Sequence, residues 1–383
     1  MVLTESHNIE KISRHFQFQG ELADSHRYGS GHINDTYLLV YQRQGMQKKY
    51  ILRRINHSVF TRPEILVDNT IRVCAHMAQQ LQSRKLEDAD RRAQHIIPTV
   101  DGKYYFKTAA GDYWCAFDFV ENTKSIDYVK SPEQAFEAAK SFGFFQKCLG
   151  DLPAASFQDT IPQFHDGLSR FRALENAISA DTHKRAEQVA AEIEFILSRK
   201  NIAQKLSELL NSKALPLRLI HNDTKINNVL FDKNTGEGLC VIDLDTVMPG
   251  TVLFDFGDMA RTFTSPAAED EQDLAKVYMR KEIFDALTRG YLSQVYDLLV
   301  PAETEHLVLG AQFMTLIMGV RFLTDYLMGD VYYKIYRPTQ NIDRCRNQIQ
   351  LLKSIESHSE SMHQMISENL NNIENTINKF GEY

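Results

Sequence analysis

The 383-residue chain predicts an α+β fold in two parts, a small β-rich N-terminal part and a larger, mainly helical C-terminal part. Three observations predict it. Short β-favouring runs crowd the first third, apolar residues recur at helical intervals from Ser131 onward, and one β-rich island at residues 219–247 interrupts the helices. The expected boundaries are 1–121 and 122–383, two lobes of one domain, since a chain this long favours two packed lobes over one core.

In chain order, residues 37–41 and 50–55 read as strands joined by a polar turn around Gly45. Residues 104–108 and 113–119 make a second pair, with Ala110-Gly111 as the hairpin turn. Between the pairs, residues 63–86 place Ile65, Ile71, Cys74, Met77, Ala78 and Leu81 on one side of a helix. Ser131, Pro132 and Gln134 supply an N-cap, a first helical position and a capping-box partner. Ala135, Ala138, Ala139, Phe142, Phe145 and Leu149 then repeat at helical spacing, and residues 349–380 read as one long amphipathic helix.

Composition excludes several classes. Lys and Arg total 43 against 50 Asp and Glu, a net charge of −7, and no basic block stands out, which argues against a nucleic-acid partner. The five cysteines are widely spaced with no Cys-x-x-Cys pair, so neither a disulfide framework nor a zinc site is expected. The N-terminus has no apolar signal core. The most apolar stretch, residues 311–327, is broken by Gln312, Arg321 and Asp325, so no membrane span is expected. A cytoplasmic enzyme is the resulting expectation.

The chemistry concentrates in residues 220–245. Asp223 stands five residues before Asn228, an apolar strand follows, and a turn at 234–236 leads to Ile242-Asp243-Leu244-Asp245. Phosphoryl transfer from ATP needs a base or orienter for the acceptor hydroxyl and oxygen ligands for magnesium on the phosphates. Asp223, Asn228 and Asp243 have the residue types for those roles. Asp and Asn also favour plain turns, but the full spacing with a second acidic strand end points to chemistry.

The run His221, Asp223, Asn228 and then Ile242-Asp243 resembles the signature shared by aminoglycoside phosphotransferases, choline kinases and protein kinases. The resemblance implies a bilobal protein-kinase-like fold. It implies that Asp223 accepts or orients the substrate hydroxyl proton, that Asn228 and Asp243 hold Mg2+, and that Lys225 faces the transferred phosphoryl group. Asp245 is either a further metal ligand or a substrate contact. By the same resemblance Asp255 supports the catalytic-loop backbone, and Asp258 with Arg261 forms a helix-start ion pair.

Gly29, Ser30 and Gly31 precede the first strand of the N-terminal lobe and resemble the glycine-rich loop over ATP phosphates, where glycine lets backbone amides approach closely. Phe119 and Val120 lie in the connector expected to hold adenine. Two departures stand out. Arg53 occupies the place of the strand lysine that pairs with ATP phosphates, and Arg lacks the compact geometry of Lys. The following helix has no glutamate at its middle; Asp68 and Glu64 are the substitutes at hand. These departures keep a nucleotide-binding, non-catalytic role open beside the enzyme.

The whole chain resembles the bacterial N-acetylhexosamine 1-kinase family, through residues 31–34, 161–166, 221–230, 242–258 and 321–327. That implies ATP as donor and the anomeric hydroxyl of N-acetylglucosamine or N-acetylgalactosamine as acceptor. Kinases for an aminoglycoside- or choline-type hydroxyl compound are the alternative. Arg321 and Asp325, four residues apart, share a helix face and either contact the sugar or pair with each other. Tyr326, Tyr332 and Tyr333 can stack on a ring. His165 is expected to be a packed or capping residue.

Overall fold

The computed structural model describes residues 8–29, 33–86 and 88–380. By its contacts the chain divides into two compact units. One is Met1–Thr123 with Gln158–Pro162 and Ile242–Val247; the other is Lys124–Phe157 with Gln163–Val241 and Met248–Tyr383. Two later segments therefore fold with the first unit, and one of them carries Asp243 and Asp245. The architecture is α+β, a β-sheet N-terminal region and a helical C-terminal part, as the sequence predicts.

The first unit contains α1 (Ile9–Ser13), β1 (Glu21–Arg27), β2 (Asp35–Arg43), β3 (Met46–Ile55), α2 (Pro63–Ser83), β4 (Ile96–Ile97), β5 (Phe106–Lys107) and β6 (Tyr113–Asp118); β7 (Thr123–Lys124) falls at the division. Its sheet runs β1-β2-β3-β6-β4, with β5 also on β6, and the pairings are antiparallel. The β2–β3 turn falls at Gln44 and Gly45, both at positive φ, as the tight hairpin predicts. The expected strand at 104–108 shortens to two residues, and β1, too polar to show a period-two pattern, goes unpredicted.

Strand alternation sorts the sheet's faces. Leu39, Tyr41, Tyr50, Leu52, Trp114 and Ala116 pack with Ile9, Ile12 and Phe16 in one cluster. Ile55, Tyr113, Cys115 and Phe117 pack with Phe60 and with Leu66 and Val67 of α2 in the other. Arg53 is one residue out of phase with Leu52, lies opposite Cys115, and holds its guanidinium 5.4 Å from the centre of the Phe117 ring.

The second unit contains α3 (Pro132–Cys148), α4 (Gly167–Ala180), α5 (Ala190–Leu197), α6 (Lys200–Asn211), β8 (Arg218–Ile220), β9 (Val229–Asp232), β10 (Gly238–Val241), β11 (Met248–Gly250), α7 (Val252–Thr264), α8 (Lys281–Val295), α9 (Pro301–Glu305), α10 (Leu307–Leu327), α11 (Gln340–Ser357) and α12 (Ser359–Phe380). Ser131 caps α3, its side chain accepting from the Gln134 amide at 3.4 Å, while the Gln134 side chain reaches back to the Lys130 amide. The single C-terminal helix expected over 349–380 is two helices. His358 breaks it at φ −108 and ψ 5, where its ring and the Ser357 hydroxyl both bond the Ser354 carbonyl.

Helix α10 is the core helix of this unit. Phe313, Met314, Leu316, Ile317, Val320, Phe322 and Leu323 are buried among α4, α6, α7 and α11 residues. It is the one helix among the described residues long and apolar enough to cross a membrane, and 72% of that window is buried inside the protein. Its crossing with α7 is close. A Cβ at Gly257 would lie 2.2 Å from the Gly310 carbonyl oxygen, and one at Gly310 would lie 2.4 Å from that of Leu253. All five cysteines are buried and none is in a disulfide.

Candidate active site

The catalytic-loop residues are built by a short ladder and one helix. β8 and β11 pair antiparallel, with Ile220 opposite Met248, so residues 221–228 emerge directly from a sheet edge. Thr251 caps α7, which brings Asp255 to the first turn. The Asp255 carboxylate accepts the His221 amide at 2.8 Å and the Asn222 amide at 2.7 Å, and its carbonyl accepts the Thr224 hydroxyl at 2.6 Å. Asn222 takes a positive φ of 66°, a conformation Asn tolerates better than most residues. Burial raises the Asp255 carboxyl to about 6 despite the His221 charge and the backbone amides that oppose the rise.

Asp223, Lys225 and Asn228 come together on this loop. Lys225 Nζ lies 2.8 Å from Asp223 Oδ1. The Asn228 side-chain amide donates to Asp223 Oδ2 at 3.0 Å and to the Asp223 carbonyl at 2.8 Å, which leaves the Asn228 carbonyl oxygen for another partner. Burial pushes the Asp223 carboxyl up, but the Lys225 ammonium, its hydrogen bond, His221 and Asn228 outweigh it and hold the group below its ordinary value. Lys225 is held above its ordinary value by the Asp223 charge, against burial, with Asp258 and Glu269 adding to the rise. At neutral pH both groups are therefore charged.

In the first unit, Asp243 and Asp245 converge on Arg53. A single nitrogen, Arg53 Nη1, lies 2.9 Å from Asp243 Oδ1 and 2.8 Å from Asp245 Oδ1. Asp245 is buried and also accepts from Asn34 Nδ2 at 2.5 Å, while Asn34 Oδ1 accepts the Asn56 amide. Asp243 sits in the left-handed region at φ 65°, and its side chain is 40% exposed. Burial lifts the Asp245 carboxyl to about 6, the Arg53 charge opposing and the Asp243 charge reinforcing the rise.

Arg53 is 8% exposed and both its ion-pair partners are carboxylates, so it braces the two aspartates. Neither substitute for the missing helix glutamate reaches it: Glu64 accepts from the Tyr113 hydroxyl, and Asp68 faces Arg72 at 3.8 Å. Helix α2 contributes instead through Asn69, whose side chain donates to the Val247 carbonyl at 3.0 Å and the Gln158 carbonyl at 2.9 Å. Asp245, given either as a metal ligand or as a substrate contact by the sequence, is enclosed by Arg53 and Asn34.

Of the glycine-rich stretch, Gly29 has φ 80° with open space around it, while Ser30 and Gly31 lie outside the described residues. Phe119 packs edge-on to Tyr28 at 5.9 Å, with Lys49 Nζ 5.4 Å from its ring centre. The Val120 carbonyl accepts the Thr123 hydroxyl at 2.7 Å.

Beside the catalytic loop lies a cluster built on Arg321. Its guanidinium carbon stands 5.2, 5.8 and 5.6 Å from the ring centres of Phe164, Tyr332 and Tyr333. Of the two alternatives for Arg321 and Asp325, the pairing with each other does not form. The Asp325 carboxylate accepts the amides of Val331, Tyr332 and Tyr333 and the Asn341 side chain, all within 2.9 Å, so Asp325 closes the 328–333 loop. That closure fixes Tyr332, which is 55% exposed. His165 is packed, as expected, between Phe164 and Phe254, with Nε2 3.3 Å from the Asn222 carbonyl. Asp258 and Arg261 pair at 2.8 Å, though in the middle of α7 rather than at the helix start expected, and Arg261 also holds Glu269.

Sequence reasoning missed Asn34, Arg170 and Glu269. Asn34 was within reach, since it sits in the 31–34 stretch that resembles the kinase family. Arg170 and Glu269 carry no motif; only folding brings Arg170 to the Phe164 carbonyl beside Arg321 and the Glu269 charge near Lys225.

The phosphotransferase enzyme family model matches residues 25–290 of the 383. Among solved structures, the chain is similar to a microcompartment-associated aminopropanol kinase, with 14% identity over 93% of this chain and 98% of that one and a TM-score of 0.59. It is similar to a spectinomycin phosphotransferase solved with ADP and spectinomycin, with 12% identity over 91% and 97% and a TM-score of 0.56. A choline kinase from Cryptosporidium parvum gives 14% identity over 94% and 98% and a TM-score of 0.56. At these identities the structures establish the fold, and the family match over most of the chain establishes the lineage: the chain belongs to the phosphotransferase enzyme family.

Proposed function

We propose that this phosphotransferase moves the γ-phosphate of ATP to the anomeric hydroxyl of an N-acetylhexosamine, giving the sugar 1-phosphate and ADP. The observation that carries the reading is the Arg321 cluster. A cation surrounded by aromatic rings, with no ion-paired carboxylate among the described residues, suits an uncharged ring and disfavours a protonated amine. The structural neighbours named for aminopropanol, choline and spectinomycin fall on the other side of that distinction in acceptor charge.

Asp223 orients the anomeric hydroxyl and takes its proton as the new O–P bond forms and the bond from the γ-phosphorus to the bridging oxygen of ADP breaks. Its lowered basicity suits an orienting carboxylate that receives the proton late. Lys225 offsets charge on the transferred group. Magnesium, when bound, neutralises phosphate charge, and the Asn228 carbonyl oxygen and the exposed Asp243 oxygen are hard donors of the kind it prefers. Among the described residues no group of three His, Cys, Asp or Glu side chains that could hold a metal is found, so Asn228 and Asp243 are the residues that would hold the ion. Arg53, itself held by Asp245, bonds Asp243, which sits in the left-handed conformation. Gly29, Phe119 and Val120 remain the proposed nucleotide contacts in the first unit.

The experiment is a coupled ADP-release assay with magnesium–ATP and N-acetylglucosamine or N-acetylgalactosamine, with the phosphate position read by phosphorus NMR. The expected result is turnover with phosphate on the anomeric oxygen. Turnover of amino alcohols with inert sugars would overturn the acceptor, and bound nucleotide without any turnover would support the non-catalytic role.

A further inference from the structure

Resting on the sugar-kinase reading above, we infer that Arg170 and Arg321, with the Tyr333 hydroxyl, form a receptor for a planar carbonyl or carboxylate oxygen of the acceptor and thereby select against a free amine.

Both guanidiniums meet at Phe164. Arg321 stacks against the ring of Phe164, and Arg170 Nη2 donates to the carbonyls of Phe164 and Gln163, each at 3.2 Å. Among the described residues neither arginine has a carboxylate within ion-pair distance; Arg321's one described side-chain hydrogen bond goes to the Met318 sulfur at 3.6 Å. Most arginines in comparable surroundings here are paired, among them Arg53, Arg185, Arg218, Arg261 and Arg337. Two neighbouring cations with no ion-paired carboxylate repel each other, and Arg170 is held below its ordinary basicity first by burial and then by Arg321, with Tyr333, Tyr332 and Asp166 opposing.

The same cluster holds polar atoms with no partner. Arg170 Nε, Tyr333 Oη and His165 Nδ1 are all buried and unbonded, although buried polar atoms in folded proteins are nearly always paired. Arg170 Nε is a donor, and the phenol of Tyr333 can donate. The partner each of them lacks is an oxygen with lone pairs and no proton of its own. A carbonyl or carboxylate meets that need, and planar guanidinium forks match such groups well. A hydroxyl satisfies the site less well, and an ammonium adds a third positive charge.

The test compares four acceptors, N-acetylglucosamine, glucosamine, glucose and glucuronate, in the native enzyme and in Arg170→Met, Arg170→Lys and Tyr333→Phe. In the native enzyme, kcat/KM for N-acetylglucosamine or glucuronate should exceed that for glucosamine by roughly 100-fold or more, the scale at which leaving buried polar groups unpaired discriminates. Whichever acyl-type sugar is preferred identifies the source of the oxygen. Arg170→Met should lower kcat/KM for that sugar by roughly 10- to 100-fold, mostly through KM, and lower the value for glucose by a clearly smaller factor. Arg170→Lys should recover part of the loss.

Tyr333→Phe guards against a folding artefact. Removing a buried, unpaired hydroxyl should leave the thermal midpoint unchanged or raise it, while kcat/KM for the preferred sugar falls. Equal losses for all sugars in Arg170→Met, or an active native enzyme that prefers glucosamine or treats glucose as well as the acyl sugars, would overturn the receptor and leave the sugar-kinase reading standing. Inert sugars throughout would overturn both.

Discussion

Arg53 bonds Asp245 at 2.8 Å through the same nitrogen that bonds Asp243, so one buried guanidinium sets the position of a neighbouring pair of carboxylates. Removing it leaves Asp245, whose side chain is 4% exposed, without its counter-ion. Breaking one side of a buried ion pair costs about 3–5 kcal/mol. Arg53→Met should therefore lower stability by that order in urea denaturation and weaken magnesium–nucleotide binding, measured by calorimetry. Arg53→Lys should keep one of the two bonds and lose less. Native stability in Arg53→Met would show that the pair does not brace the segment.

Asp223 is held charged by Lys225 and Asn228, the form an orienting carboxylate requires. Asp223→Asn keeps the shape and removes the charge. General acid–base and orienting groups contribute roughly 10²–10⁴-fold. The variant should lose turnover on that scale while its nucleotide affinity, read by calorimetry, stays within a few-fold. A variant with a near-native rate would remove Asp223 from the mechanism.

The sequence makes the 221–228 loop legible because local spacing alone brings Asn228 against Asp223. Lys225 was legible for the same reason. The role of Arg53 was not, because its partners lie 190 and 192 residues away and strand alternation alone cannot say what a buried face meets. Asp325 misled for a related reason. Helical spacing placed it beside Arg321, yet four donors within 2.9 Å from the 331–333 turn and Asn341 take its oxygens. Local spacing reads local structure; competition from distant donors does not show in it.

His165 gives the protein a specific sensitivity to acid. Its ring is buried, and burial first, then Arg321, hold its pKa down at about 3 from an ordinary 6.5. Below pH 6.5 the unfolded chain takes a proton on this ring and the folded chain does not, so stability falls as pH falls through that window. One pKa unit corresponds to about 1.4 kcal/mol, so this group alone removes about 2 kcal/mol between pH 7 and pH 5. His165→Gln, which can keep a donor toward the Asn222 carbonyl, should flatten the difference in urea-denaturation stability between those two pH values by that amount. An unchanged slope would mean the ring is protonated in the folded protein.

The crossing of α7 and α10 ties packing to the loop. Gly257 lies two residues after Asp255, and a Cβ there would meet the Gly310 carbonyl oxygen at 2.2 Å, a backbone atom that cannot rotate away. Gly257→Ala must push α7 off α10, at a cost of about 1–3 kcal/mol for overpacking. The displaced helix carries Asp255, and with it the acceptor for the His221 and Asn222 amides. The variant should therefore lose turnover even at temperatures where it is fully folded. Gly319→Ala on the same α10 is the control, since its Cβ would meet nothing nearer than 3.5 Å and should leave both stability and rate nearly native. A folded Gly257→Ala enzyme with native turnover would show that the loop is positioned without the helix crossing.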